Sequence, residues 1–438
     1  MLGNLKKIFL LCFCLMLFFQ GILAAQNGNA GSSVPASLED ENSLDDEFDT
    51  LFEDSVDVEE PVLTEEKKEK HTVTIGTDTF KIPLRFSGHL EAECGFGYVN
   101  DDGSSSATGG MKFKNDLNFN TRIDKSLAIK ATMRTESGSW NFSVYEMYFD
   151  YVLLSHLYIT AGKKSTTWGN IRILNDTDEF EDDTDALSTN LLYDSRDGTS
   201  MQLRLPLGNF CFTAFVLYKG NDDDNIGQDE MSMAGSIEMV IGKTSFNFFC
   251  RKYPSKDSEI VLQNRDKYFD PVIGGEVKRT ILGFDLYAQQ LAYLGNKEKL
   301  KEFGKAVIKN EQLHNTDLEG FSKLIFSGGL YRIWETFGPE IGFNFEFQDV
   351  YAPAEKEHSR KIAFQGAFSK LGKSRNIAIG TKWKHYTNTN SGIVEPGIIL
   401  SGIFPNAKWK NGAEIKYGEN YDRAKITVAT TLLINVDY

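Results

Sequence analysis

The stretch Asp422–Tyr438 reads D-R-A-K-I-T-V-A-T-T-L-L-I-N-V-D-Y, and its pattern decides the fold. Ile426, Val428, Leu432, Ile434, Val436 and Tyr438 share one face at a spacing of two. Lys425, Thr427, Thr431, Asn435 and Asp437 share the other, with Leu433 as the exception. A period of two belongs to a strand whose side chains alternate between two faces. A terminal strand with so apolar a face is rare in a soluble domain. A barrel in a membrane requires it, because one face meets lipid and the other meets water.

The opposite end of the chain fits that setting. Lys6 and Lys7 precede an apolar run from Ile8 to Phe19, and Ala24 and Ala25 follow it as small residues suited to cleavage. This pattern predicts a signal peptide over residues 1–25, since the run is shorter than the roughly 20 residues of a spanning helix. Cys12 and Cys14 lie inside that run. Of the five cysteines, Cys94, Cys211 and Cys250 remain, odd in number and within predicted strands, so they read as small apolar residues and not as a disulfide framework.

The formal charge of −15 is concentrated in residues 26–70, which are acidic, poor in aromatics and unable to bury a core of their own. They are expected to form a disordered periplasmic tail. Leu44, Phe48, Leu51 and Phe52 make a short helical stripe within it. The tail therefore reads as a tether, as a docking segment for a periplasmic partner, or as a plug for a pore. A nucleic-acid role has no basic patch to rest on.

From about Leu84 the alternation is continuous. Phe86, Gly88, Leu90, Ala92, Cys94, Phe96 and Tyr98 oppose Ser87, His89, Glu91 and Glu93. Phe113, Leu117, Phe119 and Ile123 oppose Lys112, Lys114, Asp116, Asn118, Asn120 and Arg122. Successive charged and amide groups cannot all enter a packed core, but they can line a water-filled lumen. Extending the parity adds Lys130, Arg134, Glu136, Lys382, Lys384, Lys408 and Lys410 to the inward set. Opposed acids and bases there would orient and filter polar solutes, or else would pair and stiffen the wall.

Links between strands alternate in length. Short ones are expected at Asp124–Lys125, Ser155, Leu207–Gly208, Gly242, Glu335–Gly338, Leu371–Ser374 and Phe404–Asn406. Longer ones are expected at 99–111, 167–195, 220–230, 253–270, 295–319 and 352–359, with compact loops near 139–142, 387–391 and 419–421. Short periplasmic turns and long external loops give this register. It predicts an all-β, antiparallel transmembrane barrel over residues 71–438 with 16–18 strands and both ends periplasmic. The closing strand should pair with the first, near Leu84–Tyr98. A repeat of roughly 40–50 residues, which a propeller would need, is absent.

Three loops carry distinctive chemistry. Asn175–Asp185 holds Asp176, Asp178, Glu179, Glu181, Asp182, Asp183 and Asp185. It could enter the lumen as a constriction favouring cations, bind Ca²⁺, or remain a solvated loop; it lacks the spacing and glycine of an EF-hand. Asp222, Asp223 and Asp224 form a weaker acidic tip. In Asn296–Leu313, Leu300, Phe303, Val307 and Ile308 make a helical stripe flanked by lysines. That segment should be a surface helix that packs on neighbouring loops, with the mouth, the lumen and lipid head groups as other destinations.

Leu157–Asn170, LYITAGKKSTTWGN, places Gly162 and Lys163 on a strand and Trp168 and Gly169 at its end. This segment resembles outer-membrane porin-like proteins that carry aromatic-x-x-x-Gly-Lys-x-x-x-x-Trp-Gly followed by a loop with Asn and Asp; Asn175, Asp176 and Asp178 stand in the corresponding loop. The layout of signal, acidic tail and barrel is similar to spirochaete-type outer-membrane proteins. The resemblance implies passive diffusion of small hydrophilic solutes, with outer-membrane lipid as the surroundings and no cofactor. Tyr438 resembles the terminal aromatic by which barrel-assembly machinery recognises its clients. A barrel used only as an anchor for partner-binding external loops is the alternative. Catalysis finds no support, because the six histidines belong to no nucleophile, metal or paired-acid motif.

Overall fold

A computed structural model describes residues 71–77, 80–101, 104–123, 126–137, 142–164, 171–174, 199–218, 231–252, 271–309, 315–335, 339–402, 406–418 and 424–437. The signal segment, the acidic tail, Trp168, Gly169, Asn175–Asp185, the tip Asp222–Asp224 and Tyr438 lie outside the described residues.

The strands are β1 (His71–Thr77), β2 (Phe80–Asp101), β3 (Ser104–Arg122), β4 (Leu127–Glu136), β5 (Ser143–Leu153), β6 (Leu157–Lys163), β7 (Thr199–Leu207), β8 (Phe210–Tyr218) and β9 (Met231–Ile241). They continue as β10 (Thr244–Lys252), β11 (Val272–Ile281), β12 (Phe284–Leu294), β13 (Phe321–Glu335), β14 (Glu340–Ala352), β15 (Glu357–Leu371), β16 (Ile377–Tyr386), β17 (Ser391–Ser401), β18 (Ala407–Tyr417) and β19 (Lys425–Asp437). Between β12 and β13 stand a helix, α1 (Lys297–Lys309), and a 3-10 turn, Asn315–Gly320.

Each strand from β2 to β19 pairs antiparallel with its chain neighbours, and β19 pairs with β2 from Ile426↔Asn100 to Asp437↔His89. Closure satisfies every edge along the shared ladder, the condition for a sheet surrounded by hydrocarbon. The result is a closed antiparallel barrel of 18 strands. β1 stands outside the ring. It pairs with the first part of β2, from His71↔Phe86 to Thr77↔Phe80, in line with the end of β19.

The barrel is apolar outside and polar inside. Phe86, Phe96, Met111, Met147, Phe149 and Ile379 are exposed on its outer face, whereas Glu276, Gln289, Glu346, Lys382 and Lys384 are buried. This is the reverse of a soluble domain, and it is stable only where the outer surroundings are themselves apolar. Leu433, the exception in the closing strand, faces inward and is 4% exposed. Its alternation was true, and its side chain packs within the wall.

One rim carries tight turns. Leu282–Gly283 joins β11 to β12 with φ of 53° at Leu282 and 79° at Gly283, the mirror-image geometry that two-residue hairpins favour. The link-length reading missed this turn because Leu282 gives no turn signal. Segment 99–111 also differs from its expectation as a loop. β2 and β3 pair without interruption up to Asp101↔Ser104, since Ser, Thr and Gly there are compatible with a solvated ladder although their composition reads as a loop.

At the other rim, α1 (Lys297–Lys309) stands within the expected segment Asn296–Leu313. The Asn296 side chain accepts from the Glu298 and Lys299 N–H groups at 3.0 and 3.2 Å, an N-cap. Leu300, Phe303 and Val307 then pack with Ala292 and Leu324. By alternation those two strand residues lie on the outer face, opposite in parity to Gln289 and Ser327. The helix therefore rests on the outer wall of the barrel at the long-loop rim, outside the lumen.

Candidate functional site: the lumen and its inserted segment

The register brings the sequence-predicted inward residues of the first strands into direct opposition. Glu93 faces Lys112, Glu91 faces Lys114 and His89 faces Asp116 across β2 and β3; Asp116 faces Arg134 and Lys114 faces Glu136 across β3 and β4. Opposite charges in directly paired positions stabilise a sheet by a fraction of a kcal/mol each, roughly 0.2–1. The Arg134–Asp116 pair is stronger, because it is bidentate. Nε and Nη2 donate to the two carboxylate oxygens at 2.7 and 2.9 Å, and both side chains are largely buried. The Arg134 guanidinium also stacks 3.4 Å above the Tyr145 ring. Lys130 lies 3.8 Å from Asp150. Arg122, the last residue of β3, is exposed at the short-turn rim.

On the far side of the ring the inward groups stand in level rows. Tyr331, Asn344, Gln365, Lys382 and Glu395 form one row across β13 to β17. Gly329, Glu346, Ala363, Lys384 and Ile393 form the next row towards the long-loop rim. Lys382 and Glu395 approach to 3.7 Å, at 4% and 7% side-chain exposure. Glu346 is 0% exposed, and a carboxylate there must be met by donors.

Those donors come from the long link after β6. The main-chain N–H groups of Arg172, Ile173 and Leu174 donate to the Glu346 carboxylate at 2.7, 2.8 and 2.8 Å. The Tyr287 hydroxyl donates to the same carboxylate. Ile171, Ile173 and Leu174 are buried with Tyr287 and Ala363, and the Arg172 guanidinium lies 3.9 Å over the Tyr331 ring. A segment from between β6 and β7 thus crosses the lumen and docks on β12 to β15. Consecutive N–H groups converging on one anion form a nest, here filled by the opposite wall's own side chain. Gly329 makes room for it, since a Cβ there would meet the Tyr287 hydroxyl at 2.5 Å. Ala363, at 0% exposure, leaves space for the isoleucines.

Sequence reasoning did not single out Glu346, Tyr287, Gly329 or Ile171–Leu174. The signal available was weak: Glu346 sits on β14 at an inward parity between Asn344 and Gln348, like other lumen groups. Gly162 of the Gly-Lys motif has a packing reason, because its φ is +130° and a Cβ would stand 2.7 Å from the Tyr148 Cα. Lys163 is the last residue of β6, opposite Met147.

No family model matches the chain, and no curated protein does. Among solved structures it is similar to Pseudomonas aeruginosa OccK11 (OpdR), at 8% identity and a TM-score of 0.48, over 81% of this chain and 96% of that one. It is also similar to a triple mutant of the Rhodopseudomonas blastica porin, at 10% identity and 0.41, over 81% and 100% of the two chains. Vibrio cholerae OmpT follows at 11% and 0.38, over 83% and 99%. By its own geometry the protein is a membrane-type antiparallel β-barrel: a closed ring, apolar outside, charged inside.

Proposed function

We propose that the protein is an outer-membrane channel through which small hydrophilic solutes diffuse passively, with residues 171–174 as its constriction. The observation that carries this is the convergence of three main-chain N–H groups and the Tyr287 hydroxyl on Glu346, which holds a chain segment across the lumen. A lumen lined by ionised groups favours water and polar solutes, and a narrowed section gives those groups close range. In this reading the short-turn rim and both ends of the barrel face the periplasm, and the long loops face outward. Glu91, Glu93, Lys112, Lys114 and Asp116 line the path, and the buried Lys382 and Lys384 stand behind it in the wall. The acidic residues Asp176–Asp185 follow directly on the clamped segment and would add negative charge near it. Tyr438 serves the assembly machinery, and the tail 26–70 tethers or meets a periplasmic partner.

The purified full-length chain in planar bilayers tests the reading. Discrete conductance steps are expected, with liposomes taking up a small sugar. Insertion without any conductance, also after removal of residues 26–70, would overturn it.

A further inference from the structure

We propose that the outer wall beside the β11–β12 turn holds a binding site for the phosphate of an anionic phospholipid, built on Arg332 and Arg279. The inference rests on the barrel lying in a bilayer and not on the channel reading. It begins with a charge on the apolar side of the wall. Tyr331 faces the lumen, where Arg172 lies over its ring, so its neighbour Arg332 faces outward by alternation. The Arg332 guanidinium lies 4.8 Å from the centroid of the Phe284 ring and 4.8 Å from that of Trp334. Its Nη1 donates to the Leu282 carbonyl at 2.6 Å. A Cβ at Gly283 would stand 3.2 Å from the Arg332 Cζ, so glycine there lets the head lie close against the turn. Two rings and one carbonyl thus hold the planar head in place. The remaining donors of its fork meet no acceptor among the described residues.

The level of this charge identifies its surroundings. Phe284, Trp334, Phe343 and Phe364 follow one another edge to face around the wall, with neighbouring centroids 5.5, 6.5 and 5.3 Å apart. A belt of aromatics marks the boundary between hydrocarbon and head groups. The turn below it carries Leu282, 86% exposed at a φ of 53°. Leucine at that φ gives up the ease of glycine or asparagine. Its exposed side chain fits a turn that touches a lipid surface.

Arg279 is the second outward cation, and it is exposed. It opposes Leu286 on β12, which opposes Leu330 on β13, two residues from Arg332. With ~4.8 Å between strands and ~3.3 Å per residue, the two arginine Cα atoms lie about 12 Å apart, close enough for one head group to meet both side chains. Neither arginine forms an ion pair with a described residue. On the rim side of Val277, the outward positions of β11 to β14 hold these two cations and no acid. The neighbouring link, 336–338, contains no charged residue. A cation at the edge of the hydrocarbon is stable where an anion or water meets it. A phosphodiester presents paired oxygens that match the guanidinium fork, and its acyl chains would lie along the apolar wall at Leu286, Leu330 and Phe345. Two positive charges without an acid favour a lipid of net negative charge over a zwitterionic one, whose own ammonium would be repelled.

The test uses native mass spectrometry of the full-length protein in detergent, with phosphatidylglycerol and phosphatidylcholine of the same acyl chains as probes. The protein should retain phosphatidylglycerol about tenfold more tightly than phosphatidylcholine. Arg332→Gln and Arg279→Gln should each reduce that preference several-fold. Arg332→Lys should reduce it as well, because it keeps the charge and loses the planar fork. Arg375→Gln removes an exposed arginine from another turn of the same rim and should leave the preference unchanged. Glycerol 3-phosphate in solution should not displace the lipid. Equal retention of the two lipids by the unaltered protein would overturn the proposal. So would a preference that survives both glutamines, falls equally with Arg375→Gln, or is abolished by glycerol 3-phosphate. The comparison of the two lipids needs no variant, so a variant that fails to fold leaves it decisive.

Discussion

The wall formed by β2, β3 and β4 and the wall formed by β12 to β15 are both polar inside, yet they use their charges differently. On the first, each acid meets a base on the adjacent strand: Glu93 with Lys112, Glu91 with Lys114, Asp116 with Arg134. Asp116 and Arg134 close a bidentate ion pair between neighbouring strands, within the wall itself. On the second, Glu346 has Gly329 and Ala363 as its cross-strand neighbours, and neither can answer a charge. Its partners come from residues 172–174 of the chain, across the barrel. A charge flanked by small neighbours is free to hold something other than the wall.

The largest expected effect breaks that difference. Glu346→Ala leaves the three N–H groups and the Tyr287 hydroxyl without their acceptor, and an unmet buried donor costs about 1–3 kcal/mol. The segment should leave the wall, and single-channel conductance should rise roughly two-fold or more while the barrel still resists heat in detergent; the energy lost is local to the inserted segment. Unchanged conductance would mean that 171–174 is not the narrow point.

Gly329→Ala should act in the same direction but less. The added Cβ meets the Tyr287 hydroxyl at 2.5 Å and the Phe345 carbonyl at 2.8 Å. Tyr287 must swing away, and Glu346 loses one of its four donors. An intermediate conductance is expected, and none of it should be additive with Glu346→Ala, because both act through one contact.

On the first wall, Arg134→Met should lower stability by about 1–3 kcal/mol, read as an earlier midpoint in urea refolding into vesicles, with conductance nearly unaltered. A double-mutant cycle with Asp116→Asn should return a coupling near 1 kcal/mol or more. A large conductance change instead would show that this wall also positions the constriction.

The smallest effect lies outside both walls. The Lys299 ammonium beside Glu319 holds that exposed carboxyl below its usual range near 4.5. A depressed pKa stabilises the docked form above the unperturbed value, and that contribution is lost as pH falls through the lowered one. Hydrogen exchange over α1 should therefore quicken slightly as pH drops from about 5 to 3, and Lys299→Met should remove the pH dependence. A response that survives the substitution would assign it to another group.

Much of the barrel was legible in the sequence because alternation is a local signal. Phe86–Tyr98 against Ser87–Glu93 told inside from outside, and the structure places Glu91, Lys114 and Arg134 on one inner face accordingly. The pairing of the closing strand with the first was legible too, since an even set of strands must end where it began. The failures also have physical causes. Segment 99–111 reads as a loop because Ser, Thr and Gly signal turns, although two solvated strands can pair through them. Leu282 hides a turn because its positive φ is imposed by hairpin geometry and not chosen by the residue.

The sequence by itself determined that this chain alternates, that its links alternate in length, and that its two faces suit lipid and water. Each of these follows from backbone geometry repeated every two residues. Only the tertiary structure decided that Ile171–Leu174 cross the lumen to Glu346, that α1 lies on the outer wall, and that β2 and β3 pair as far as Asp101 and Ser104. These depend on which residues closure brings together, and Arg172 and Glu346 are 174 positions apart. No local pattern encodes a contact at that separation; the curvature and register of the whole ring create it.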